Sequence, residues 1–132
     1  MNIVVGYVPG PEGMAAVEHA VAVAERDSAK LTIVNSGTWG DDSRSSFASP
    51  ADLDALASKL ADLGVEHDIR QPPQAQSPAG EILRAASDVG ADLIVIGLRR
   101  RSAVGKLFLG STAQQVILEA DCPVVSVKRP PA

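Results

Sequence analysis

A chain of 132 residues is sized for one domain, able to bury about two thirds of the surface its unfolded form exposes. Apolar residues make up 45% and aromatics only 3%, so the core is expected to be aliphatic, as in parallel strands covered by helices. The net charge of −4 argues against nucleic acid as the main partner, and the single Cys122 excludes an internal disulfide framework and suits a reducing compartment. Met1-Asn2-Ile3-Val4-Val5 carries neither a basic leader nor a membrane-length apolar run, so a cytoplasmic protein with no membrane partner is expected.

Ile3 to Val8 is short and β-rich and reads as a buried strand, with Pro9 to Gly13 as the turn that ends it. Met14, Val17, Val21 and Ala24 then recur at helical spacing, with Glu12 and Glu18 early and Arg26 and Lys30 at or beyond the end, as the helix dipole favours. Leu31 to Val34 is the second strand. Asn35 to Ser49 is rich in Gly, Ser and Asp and is expected to be the most mobile segment. Its Trp39 and Phe47 suit packing on the nearest helix, a flap or a dimer contact.

Ser49-Pro50 supplies an N-cap followed by proline at the first helical position. Leu53, Leu56, Leu60 and Leu63 give that helix an apolar stripe, ended by Gly64. Val65 to Arg70 alternates weakly and should be an exposed edge strand, followed by a Pro/Gln loop. Ser77-Pro78 opens a third helix carrying Ile82, Leu83, Ala86 and Val89, closed by Gly90. Leu93-Ile94-Val95-Ile96 is the most hydrophobic strand. After it come Gly97-Leu98-Arg99-Arg100-Arg101, a further cation at Lys106, then Gly110-Ser111-Thr112 opening a final helix. Ala120 to Pro123 is a turn, Val124 to Val127 the last strand, and residues 129–132 a short tail.

Strands alternating with helices imply a single α/β domain over residues 1–128, with a doubly wound parallel sheet of five strands and four helices, Rossmann-like in its winding. The ligand crevice of such a sheet lies beyond the carboxyl ends of the strands, where the winding reverses. The loops after strands one and four should therefore face each other. The charge distribution points to the same place: residues 1–96 carry 6 cations and 14 anions, whereas residues 97–132 carry 6 and 2. A strand, a cationic glycine-bounded loop and a helix start together form an arrangement that holds anions.

Known motifs fit incompletely. Val8 stands where a dinucleotide fingerprint over Val8 to Gly13 needs its first glycine, and the second strand ends in Asn35-Ser36 without the ribose-binding acid. A phosphate loop of the nucleotide-triphosphatase kind fails because Leu107 follows Gly105-Lys106 and Arg100 replaces the first glycine. His19 and His67 have no nucleophile elbow to pair with, Asp41-Asp42 lacks companions at calcium-loop spacing, and nothing near Cys122 would lower its pKa. Neither a catalytic constellation nor a metal site is expected.

At Gly97 to Ser111 the chain resembles the universal stress protein family, whose hallmark is Gly-x2-Gly-x9-Gly-Ser/Thr. Gly97, Gly110 and Ser111 match, and Thr112-Ala113-Gln114-Gln115-Val116 and Cys122-Pro123-Val124-Val125 follow in register. The resemblance implies a flavodoxin-like sheet of order 3-2-1-4-5 and a homodimer. It also implies an adenine nucleotide, ATP or AMP, with magnesium accompanying ATP. It assigns Gly97, Arg99, Arg100, Arg101, Gly110, Ser111 and Thr112 to the phosphates. Gly6, Tyr7, Val8, Asn35, Ser36 and Ile96 would border base and ribose, and Val124, Val125 and Val127 the dimer contact. Two departures bear on affinity: Arg100 replaces the second glycine and Val8 the strand-one aspartate. Arg100 either binds phosphate or fills its site, satisfied by an acid such as Asp92. The implied role is a stress sensor or regulator, with at most weak ATPase or self-phosphorylating activity at Ser111. The alternative is a nucleotide-independent protein-binding module.

Overall fold

The computed structural model describes residues 1–36, 48–72, 77–98 and 110–128. Within them the elements run β1 (Asn2–Gly6), α1 (Pro11–Asp27), β2 (Lys30–Val34), α2 (Pro50–Asp62), β3 (His67–Arg70), α3 (Pro78–Val89), β4 (Leu93–Leu98), α4 (Ser111–Glu119) and β5 (Val124–Lys128). The strands pair in the order β3-β2-β1-β4-β5, all parallel, as expected.

Side chains on a strand alternate between faces, and here the alternation sorts the core into two layers. Ile3, Val5, Leu31, Ile33 and Val95 pack with Val17, Leu56 and Leu60 on the α1–α2 side. Val4, Val34, Ile94 and Ile96 pack with Ile82, Ala85, Ala113 and Val116 on the α3–α4 side. Central β1 and β4 are covered on both faces, which is why they read as unbroken apolar runs. Each fully buried aliphatic side chain contributes about 1.5–3 kcal/mol, so these two layers hold the sheet between its helices.

Helix starts follow local chemistry. Ser49 and Asp52 form a reciprocal capping box: the Asp52 N–H donates to Ser49 Oγ at 3.1 Å and the Ser49 N–H to Asp52 Oδ2 at 3.0 Å. Ser77 Oγ accepts from the Gly80 N–H at 3.2 Å. Pro50 and Pro78 take first-turn positions, where a missing N–H costs nothing.

Several boundaries differ from expectation. β1 stops at Gly6 rather than Val8, and α1 begins at Pro11 rather than after Gly13. Gly10 adopts φ 131 as the N-cap, a conformation that only glycine takes without strain, so the turn fits into four residues. β3 starts at His67, and β4 continues to Leu98. Leu63 is exposed as the C-cap of α2, leaving Leu56 and Leu60 as its buried residues. Asp92 sits at the amino end of β4, accepting the Asn2 N–H at 2.9 Å. The expected pairing of Asp92 with Arg100 involves a residue outside the described ones.

Candidate functional site

β1 and β4 are neighbours with Gly6 in register with Ile96, so their carboxyl ends lie side by side; the loop expected after β4 lies outside the described residues. The Tyr7 N–H extends the ladder to the Val34 carbonyl at 2.9 Å. The chain then turns into α1 so tightly that a Cβ on Gly13 would lie 1.8 Å from the Val8 carbonyl oxygen. On neighbouring β4, a Cβ on Gly97 would lie 2.4 Å from the Glu12 carbonyl oxygen. Gly97 is thus required by backbone packing of β4 against the first turn of α1.

Gly110 differs. Among the described residues a Cβ there would meet nothing within 4 Å, and no side chain caps α4 behind it. Gly10 likewise leaves α1 without a side-chain cap, whereas Ser49 and Ser77 cap α2 and α3. The helices that begin after β1 and β4 therefore leave first-turn N–H groups without a side-chain acceptor among the described residues. Such ends attract anions through aligned N–H groups and the helix dipole. Ser111 is exposed and Thr112 half-buried on the first turn of α4.

The other predicted residues take distinct positions. Gly6 and Ile96 lie side by side at the strand ends: a Cβ on Gly6 would touch Ile82 Cδ1 at 2.8 Å and Ile96 Cγ2 at 3.2 Å. Tyr7 is buried, its phenol pushed up in pKa by burial and then by Asp52. Val8 is 40% exposed in the turn between β1 and α1. Asn35 is fully buried with its amide engaged by protein groups, and Ser36 Oγ donates to the Pro78 carbonyl at 3.0 Å. Arg99, Arg100 and Arg101 lie outside the described residues, as do Lys106, Trp39, Phe47 and Asp41-Asp42.

Val124, Val125 and Val127 lie away from the crevice on β5, an edge strand. All three are half-buried; Val125 and Val127 pack toward α1, and Val124 toward α3 and α4. Among the described residues no group of three or more His, Cys, Asp or Glu could hold a metal, and no helix is long and apolar enough to cross a membrane. Burial, then Asp121 and Asp92, push the Cys122 thiol up.

The family model for the universal stress proteins matches residues 1–128. The chain belongs to the universal stress protein family. A universal stress protein of Mycolicibacterium smegmatis is 43% identical over 129 residues, 96% of each chain. Among solved structures, a universal stress protein from Archaeoglobus fulgidus superposes with a TM-score of 0.79 at 29% identity, covering 97% of this chain and 98% of that one. Another from the same organism, solved in complex with dAMP, superposes at 0.67 and 24% identity, over 97% and 98%.

Within this universal stress protein, sequence reasoning missed Gln71. Its side-chain N–H groups donate to Asn35 Oδ1 at 3.0 Å and to the Ala48 carbonyl at 2.8 Å. Asn35 Oδ1 also accepts the Ala48 N–H at 2.8 Å, and Asn35 Nδ2 donates to the Tyr7 carbonyl at 2.9 Å. Read as part of a Pro/Gln loop, Gln71 carries no local signal of this tie, because its partners are 23 and 36 residues away.

Proposed function

We propose that this protein binds an adenine nucleotide across the carboxyl ends of β1 and β4 and acts as a dimeric cytoplasmic stress sensor or regulator. The observation that carries the reading is the pair of helix starts without side-chain caps among the described residues, at Gly10 and Gly110, on the helices that follow the adjacent strands β1 and β4. The dAMP bound by the Archaeoglobus fulgidus protein supports it. The phosphates take the first-turn N–H groups of α4 and the hydroxyls of Ser111 and Thr112, above Gly97. Arg99, Arg100 and Arg101 supply bidentate cationic donors. Tyr7 and Val8 form the rim beside base and ribose, Gly6 and Ile96 the floor, with Asn35 and Ser36 behind them. Magnesium, where ATP binds, travels with the triphosphate. Calorimetry with ATP, AMP and cyclic AMP tests the reading: no heat and no thermal shift at about millimolar ligand sinks it.

A second reading is a nucleotide-independent, protein-binding module, favoured by an apolar Val8 on the rim where relatives of the resembled pattern carry aspartate. Arg100→Gly separates the two. Under the first, it lowers nucleotide affinity or leaves it nearly unchanged; under the second, it creates affinity by restoring close backbone approach. Phosphate release at the level of a buffer blank would dismiss residual ATPase activity.

A further inference from the structure

The rim of the crevice is held by a buried amide clasp that no motif announces. Asn35 is 0% exposed at the end of β2, and its own N–H donates to the Arg70 carbonyl at 2.9 Å. Its side chain works in both directions, with Oδ1 accepting from Ala48 and Gln71 and Nδ2 donating to the Tyr7 carbonyl. Gln71 closes the ring by donating to Ala48 as well. A primary amide can accept and donate at once, which neither a carboxylate nor an aliphatic group can do.

The Tyr7 carbonyl belongs to the peptide that leads into Val8. The Tyr7 N–H is fixed by the Val34 carbonyl and the Tyr7 oxygen by Asn35. Val8 in turn abuts Gly13, and the same first turn of α1 abuts Gly97. Displacement at Tyr7 therefore reaches the first turn of α1 and Gly97 of β4 through close backbone contacts.

We infer that Asn35 and Gln71 are positioning residues for the ligand: through the Tyr7 carbonyl they hold the Tyr7–Val8 rim at the separation from α4 that the nucleotide requires. The inference rests on the nucleotide reading above. It replaces direct contact by Asn35 with control of the backbone beside the ligand.

Asn35→Asp gives the sharpest test, because it keeps the acceptances from Ala48 and Gln71 and loses the donation to Tyr7. Buried, the new carboxyl titrates well above its usual range, and once protonated it regains a donor. Cyclic AMP is the probe, since its phosphodiester holds one charge throughout. Relative to wild type in the same series, binding by the Asn35→Asp variant is expected to be about tenfold weaker at about pH 8 and restored to within about threefold at about pH 5. Gln71→Met, which leaves Asn35 in place, is expected to weaken binding about threefold with circular dichroism unchanged, and it carries the test should Asn35→Asp not fold. Unchanged affinity in a folded variant, or a loss in Asn35→Asp that is independent of pH, overturns the inference alone. Wild-type protein that binds no adenine nucleotide overturns the functional reading and this one together.

Discussion

Gly97 and Gly110 occupy equivalent places in the sequence motif and opposite places in the physics. At Gly97 a methyl group would overlap the Glu12 carbonyl, while at Gly110 it would meet none of the described residues. Gly97→Ala should therefore destabilise the fold by about 1–3 kcal/mol, as overpacking does, visible as a lower urea midpoint. Gly110→Ala should cost no more than about 1 kcal/mol, the loss of a tolerable N-cap, yet reduce nucleotide affinity if phosphate passes over that position. Equal stability losses at the two sites would contradict this division. From the sequence both glycines look like ligand residues. The backbone of α1, brought against β4 only in the folded chain, makes one of them a packing residue.

At the scale of elements, local chemistry decided more than long-range contacts. Ser-Pro pairs start α2 and α3 where the sequence indicates, because a capping hydroxyl and a proline with fixed φ act within one turn. Ser49→Ala should cost about 1 kcal/mol in thermal or urea unfolding. The loss should be matched by Asp52→Ala, because each side chain caps the other's N–H. A much smaller effect of either would mean that the box forms without contributing. The first turn was harder to read. Pro9, Gly10, Pro11 and Gly13 look like one long turn, yet the positive φ of Gly10 lets the helix begin at the next residue.

For the whole molecule, the two sheet edges differ in a way that bears on assembly. β3 is short and its edge is charged, with Lys30 paired to Asp68 at 3.0 Å and Arg70 to Asp88 at 3.1 Å. β5 presents Val124, Val125 and Val127, half-buried, with Leu118 of α4 80% exposed. Apolar, unblunted edges invite pairing, and a homodimer through β5 is the expected consequence. Val125→Asp should shift the protein to monomer in sedimentation velocity. Because Val125 also packs toward α1, it should lower stability by about 1–3 kcal/mol as well. Sedimentation identical to wild type would count against this interface.

The sequence alone determined the alternation of strands and helices, the two-sided burial of β1 and β4, and the family. Those features rest on periodicity, caps and a motif, all of which act within a few residues. Tertiary structure decided which groups meet at the crevice. It placed Gly97 against α1, turned Asn35 inward to Tyr7, recruited Gln71 from the far side of β2, and tied Asp92 to the start of β1 through the Asn2 N–H. Close approach and hydrogen-bond direction belong to pairs of segments distant in sequence, and only a folded sheet brings such pairs together.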